Sequence, residues 1–208
     1  MHVGRSSGKS AERKGLMTEK LEIPDEFLLV LQDLLQWLET TQTPYATIGG
    51  VGVSLLAGAR ATKDIDAVLW LNTDEVESFL QAGAGYGFVP RISNAADFAR
   101  TRRVILLQHS PTSITIDLSC GVLPFERELI TRARTLTIGS LKLKVATPED
   151  LIIMKAIAHR PRDIADIEAI LNIEPNLDFA RIRSWVEQFA EALEMPELME
   201  DLEKMLHR

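Results

Sequence analysis

Residues 48–70 read IGGVGVSLLAGARATKDIDAVLW, and the reading of this stretch decides the fold. Tyr45 to Ile48 predicts a short strand that runs into the turn Gly49-Gly50. Val51 to Ala59 predicts a short buried helix, and Ile65 to Leu71 a second strand, with β-branched and aromatic residues. Side chains alternate faces along a strand, so Asp64 and Asp66 point the same way while Ile65 points into the core. Two neighbouring carboxylates repel, and a cation between them relieves the repulsion. Hard oxygen donors of this kind suit Mg²⁺, which takes one or two protein carboxylates and lets substrate phosphates complete its shell. Backbone N–H groups at the start of the Val51 helix can cradle phosphate oxygens, and glycine lets the phosphate come close. Glycine turn, helix and paired-Asp strand together form an arrangement for a metal-bound triphosphate.

Outward from this stretch the chain alternates helix and strand. Pro24 to Thr41 predicts a helix, with Leu28, Leu31, Leu34, Leu35 and Leu38 in one apolar stripe. Asn72-Thr73-Asp74 supplies N-cap chemistry for a helix through Gln81. That helix ends in Gly83, Gly85 and Gly87, which follow a helix rather than a strand and so form no dinucleotide fingerprint. Arg103–His109 and Ser113–Ser119 predict two strands joined at Ser110-Pro111-Thr112. Pro124–Arg132 predicts a helix, and Arg134–Ile138 with Leu141–Val145 a hairpin around Gly139-Ser140. Thr147-Pro148-Glu149-Asp150 starts a helix, with Thr at the N-cap, Pro at the first position and acids in the first turn. The rest of the chain predicts four helical segments. The fold class is therefore α/β (α+β): a small mixed, twisted sheet flanked by helices, followed by a helical part. The expected division is a disordered arm over 1–20, a core over 21–146 and a helical region over 147–208 packed on the core.

The 208 residues carry a net charge of −7, which argues against a surface that binds nucleic acid as a whole. The lone Cys120 cannot make an internal disulfide and fits a reducing, cytoplasmic setting. No apolar run reaches the roughly 20 residues that span a bilayer, so no membrane partner is expected. His109 and His159 stand apart, without zinc-ligand spacing. Arg100, Arg102 and Arg103 read as a solvated face.

The 48–70 stretch resembles the nucleotidyltransferase superfamily typified by DNA polymerase beta, whose pattern is Gly-Gly or Gly-Ser, a spacer and Asp-x-Asp. It is most similar to the minimal bacterial branch that includes the AbiEii-like toxin nucleotidyltransferases. The matching residues are Gly49, Gly50, Gly58, Arg60, Thr62, Asp64, Ile65 and Asp66, then TPEDLIIMKAIAHRPRDIADI with Lys155, Arg160, Arg162, Asp163 and Asp166. The resemblance implies a third carboxylate on a neighbouring strand, for which Asp117 in SITIDLSCG is the candidate. It implies that Asp64, Asp66 and Asp117 hold Mg²⁺ or Mn²⁺ and that Asp117 also helps deprotonate the acceptor. It implies that Lys155 contacts the triphosphate and that Asp163 orients it or acts in catalysis. Gly49, Gly50, Arg60 and Thr62 join Lys155 as nucleotide-binding candidates, although Arg60 could equally pair with an acid near the strand. Asp166 could simply pair with Arg162 along its helix.

The expected activity is metal-dependent transfer of a nucleoside monophosphate from an NTP to an acceptor, with release of pyrophosphate. The acceptor could be a protein hydroxyl, a tRNA end or a small molecule, and the chain could be the toxin of a toxin–antitoxin pair, held by an antitoxin protein. Val51 follows the double glycine where many relatives carry Ser, Thr or Ala, which leaves the phosphate contact to backbone N–H groups. The alternative reading is a non-catalytic nucleotide- or partner-binding module that keeps the fold. The geometric expectation is that the three carboxylates converge on one cleft beside Gly49-Gly50, close enough to share ions, with Lys155 reaching the same cleft.

Overall fold

The computed structural model describes residues 23–57 and 64–207. The arm over 1–20 and the candidates Arg60 and Thr62, with Gly58, lie outside the described residues. Among the described residues the chain runs α1 (Asp25–Thr40), β1 (Tyr45–Ile48), α2 (Gly49–Ala57), β2 (Asp64–Leu69), a 3₁₀ turn (Thr73–Glu75), α3 (Val76–Ala84), β3 (Phe88–Pro90) and α4 (Ala95–Arg102). It continues through β4 (Val104–His109), β5 (Thr115–Cys120), α5 (Pro124–Arg132), β6 (Arg134–Ile138) and β7 (Leu141–Val145). Four helices close it: α6 (Pro148–Ala158), α7 (Pro161–Ile173), α8 (Phe179–Leu193) and α9 (Glu197–Leu206). The α/β expectation holds, as do the four closing helices.

One mixed sheet carries the architecture, in the order β3-β4-β5-β2-β1-β7-β6. The strand β2 lies antiparallel to β1 and parallel to β5, with Asp66 level with Ile48 on one side and Asp117 on the other. The alternation of β2, β4 and β5 sorts side chains onto two faces. Ile65, Ala67, Ile105, Leu107, Ile116 and Leu118 are fully buried on one face, against the apolar stripe of α1 and against Phe79 of α3. Leu31, Leu34 and Leu38 of that stripe are buried, and Trp37 joins them, stacked on Phe79 and Phe88. The other face is covered over β1 and the end of β2, where Ala46, Ile48 and Val68 pack with residues of α2, α5, α6, α7, α8 and α9. It is only half-covered over β4 and β5, at Val104, Leu106, Gln108, Thr115, Asp117 and Ser119. An open shelf of sheet therefore lies beside the covered half.

Two elements have no counterpart in the sequence reading. The strand β3 is an edge strand of three residues that pairs antiparallel with β4 and ends in Pro90. The helix α4 buries only Ala95 and Ala99, and Arg103 closes it in the left-handed region at φ 57°. Neither presents an apolar stripe from which a period could be read.

Candidate functional site

The site is built where β2 and β5 begin. These strands are parallel and in register, with Asp64 level with Thr115 and Asp66 level with Asp117. Residues directly opposite in a pair share a face, so Asp64, Asp66 and Asp117 all rise from the open face of the sheet. Ile65, between the two aspartates, is fully buried on the other face. Asp64 is exposed, whereas Asp66 and Asp117 are half-buried.

The chain turns from β1 into α2 at Gly49, against this acidic row. Gly49 has φ +62°, a left-handed conformation open to glycine. A Cβ there would lie 2.1 Å from Oδ2 of Asp66. The Asp66 carboxylate thus rests directly on the glycine backbone, in space that only an absent side chain leaves open. Gly50 follows in the first turn of α2. Val51 is buried in the core on the α1 side.

Lys155 and Asp163 come together in a buried setting. Nζ of Lys155 lies 3.0 Å from Oδ1 of Asp163 and 2.7 Å from Oδ2 of Asp166. All three residues are at least nine-tenths buried. Asp166, which helical spacing would pair with Arg162, belongs to this cluster. Nε of Arg160 donates to Oδ2 of Asp163 at 2.7 Å, and Arg160 keeps about half its side chain in solvent. The helix α6 ends at His159 in the left-handed region, and Pro161 starts α7 at once, which brings the Asp163 and Asp166 side of α7 back onto Lys155.

The charges of the two groups act on one another. Burial pushes the Asp66 carboxyl up from its ordinary value, and the charges of Asp117 and Asp64 push it further. Lys155 and Arg160 pull against that rise, so both cations act on the carboxylate row. Burial also raises Asp117, against the opposing pull of Arg91 and with the help of Asp64. Asp163 moves the other way. Burial alone would raise it, but hydrogen bonds from Arg160 and Lys155 and their charges hold it below the usual carboxylate range.

Hard carboxylate oxygens on one face of the sheet are the donor chemistry that suits Mg²⁺ or Mn²⁺. Among the described residues, no group of three or more His, Cys, Asp or Glu side chains is gathered tightly enough to hold a metal ion. Protein donors contact two of the carboxylates. Thr115 donates its hydroxyl to Oδ1 of Asp64 at 2.7 Å. Arg91 donates from Nη2 to Oδ1 of Asp117. The sequence reading missed both donors. Thr115 was findable, since it sits two residues before Asp117 on the same strand. Arg91 lies just past the unrecognised β3, and nothing in its local sequence marks it.

This geometry coincides with a family assignment. A family model described as "Nucleotidyltransferase of unknown function (DUF6036)" matches residues 25–202. The chain belongs to this family. The membership agrees with the superfamily-level resemblance, and it makes the chain a nucleotidyltransferase in fold and enzyme class. Solved structures share the fold of this nucleotidyltransferase at low identity. An antigenic nucleotidyltransferase-like protein from Paracoccidioides brasiliensis is 17% identical, with a TM-score of 0.52 over 86% of this chain and 94% of that one. ANT(2'')-Ia in complex with adenylyl-2''-tobramycin is 12% identical, with a TM-score of 0.55 over 79% of this chain and 97% of that one. The solution structure of the antibiotic-resistance factor ANT(2'')-Ia is 13% identical, with a TM-score of 0.53 over 88% and 99%. No curated protein sequence matches the chain. Among the described residues no helix is long and apolar enough to cross a membrane.

Proposed function

We propose that this nucleotidyltransferase moves a nucleoside monophosphate from an NTP to an acceptor hydroxyl, in a reaction that depends on a divalent metal and releases pyrophosphate. The observation that carries the reading is the placement of Asp64, Asp66 and Asp117 on one open sheet face, with Asp66 seated on the bare backbone of Gly49. Asp64, Asp66 and Asp117 would hold Mg²⁺ or Mn²⁺, which would supply the charge that neutralises the triphosphate and the attacking and leaving oxygens. The backbone N–H groups of the Gly49-Gly50 turn cradle phosphate oxygens. Arg60 and Thr62 are further nucleotide-binding candidates by resemblance. Lys155 adds positive charge on the triphosphate side, held in place by Asp163. Asp117, on the strand nearest the open shelf, takes the proton of the acceptor hydroxyl.

A small-molecule hydroxyl is the acceptor that the fold-level likeness to ANT(2'')-Ia supports, since that protein was captured with adenylyl-2''-tobramycin. Transfer to a tRNA end or a protein hydroxyl, with a cognate antitoxin holding the enzyme silent in the cytoplasm, is the AbiEii-like form of the same reading. The test is incubation with each of the four labelled NTPs, Mg²⁺ and a cell extract fractionated into small molecules, RNA and protein. Label should enter one fraction with the wild-type chain and none with Asp66→Asn. Transfer that survives Asp66→Asn overturns the site. Absence of transfer from every NTP favours the non-catalytic binding module.

A further inference from the structure

Arg91 is a cation in contact with the acidic row that the proposed reaction does not use. It leaves β3 at the sheet edge, and its backbone N–H donates to the Leu106 carbonyl at 2.9 Å. Leu106 pairs with Asp117, and Asp117 with Asp66. Arg91, Leu106, Asp117 and Asp66 therefore form one row across four strands. The long Arg91 side chain crosses the width of β4 to place its guanidinium on Asp117. We propose that Arg91 is the built-in counter-cation of this row: it holds Asp117 when no divalent ion does, and it must let go before Asp117 can ligate one. The proposal rests on the reading of the row as a metal site.

Two properties suit Arg91 to exchange rather than to permanent bracing. The pair is open to water, with 32% of the Arg91 side chain and 43% of the Asp117 side chain exposed. Solvent screens such a pair and makes it inexpensive to separate. A buried pair such as Lys155 with Asp163 has no such freedom. Arginine also keeps its charge at every working pH, so loss of its own proton does not release Asp117.

The experiment measures binding of Mn²⁺ alone to the full chain, by the loss of the free-ion paramagnetic signal. R91Q should bind Mn²⁺ about two- to fivefold tighter than wild type, the scale on which a water-exposed ion pair competes. R91K keeps the charge and should return affinity toward wild type. A merely structural Arg91 would leave affinity unchanged in both variants, and equal or weaker binding by a folded R91Q overturns the proposal. A second measurement needs no variant to fold: the Arg91 side-chain N–H resonance of the labelled wild type, followed during Mg²⁺ titration. It should shift in step with ion uptake, and a resonance that stays fixed through saturation overturns the exchange. If wild type takes up Mn²⁺ through Asp66 and R91Q is no tighter, only the Arg91 role fails. If neither chain takes up Mn²⁺, the metal-site reading fails and this inference falls with it.

Discussion

Gly49 and Asp66 define each other's space, so the residue scale offers a clean separation of backbone from site. Gly49 and Gly139 have nearly the same left-handed backbone, at φ +62° and +59°. A Cβ at Gly139 would meet nothing within 4 Å, whereas one at Gly49 would collide with the Asp66 carboxylate. Gly139→Ala should cost about 1 kcal/mol from backbone strain alone. Gly49→Ala should cost about 1–3 kcal/mol more, because the Asp66 side chain must also move. Urea unfolding of the two variants checks the difference, and equal costs would mean that Asp66 does not lean on Gly49. Asp66 itself gives a pH test. Its native pKa is raised above the ordinary 3.8, so its ionised form weakens the fold. Its contribution is fully present below pH 3.8 and is lost as pH rises through the raised native value. Asp66→Asn should therefore be more stable than wild type at neutral pH with a chelator present, and the gap should shrink to nothing as pH falls to 3.8. Melting curves across that range check it. Asp64 and Asp66 were legible because the two-residue period of a strand puts them on one face. Arg91 was not, because its role depends on a row across four strands that no local spacing reveals.

At the scale of elements, α6 and α7 are pinned together by charge inside an apolar layer. Lys155 bridges Asp163 and Asp166 with its ammonium, and all three are buried. Removing it takes the shared cation from two buried carboxylates and leaves the half-exposed Arg160 as the cation on Asp163. Lys155→Met should cost about 3–5 kcal/mol, measured by urea unfolding. Asp163 adds an acid dependence of opposite sign to that of Asp66. Its native pKa is held below 3.8, so its contribution is present above that pH and is lost as pH falls through the depressed value. Arg160, half in solvent, should tolerate Gln with a loss of about 1 kcal/mol or less. The long elements were readable in advance for a plain reason. The stripe of α1 and the Thr147-Pro148 start of α6 each carry a strong local signal. The edge strand β3 and the helix α4 carry none. Three residues and two buried alanines are enough only because the rest of the sheet is already in place.

For the whole molecule, charge decides how ligands can enter. The chain is net −7, and its open shelf starts from a row of aspartates. A free triphosphate adds negative charge beside Asp64 and Asp66 and should bind weakly on its own. A divalent ion alone must compete with the donors already on Asp64 and Asp117. Ion and nucleotide together cancel both charges, so their stabilisation should exceed the sum of the separate effects. Binding linkage sets the scale: a ligand at about 100 times its dissociation constant adds about 2.7 kcal/mol. For a chain of this size that corresponds to a rise of roughly 5–10 °C in Tm. The measurement is a thermal melt with ATP, GTP, CTP and UTP in turn, each with and without Mg²⁺ at millimolar concentration. The NTP that gives the largest joint shift identifies the preferred base. Asp64→Asn should keep the fold, because the amide preserves the shape, and should lose the joint shift, because it removes the charge. Eight superimposable melting curves from the wild type would mean that the acidic row does not bind metal–nucleotide, and the chain would then be a binding module on a nucleotidyltransferase fold.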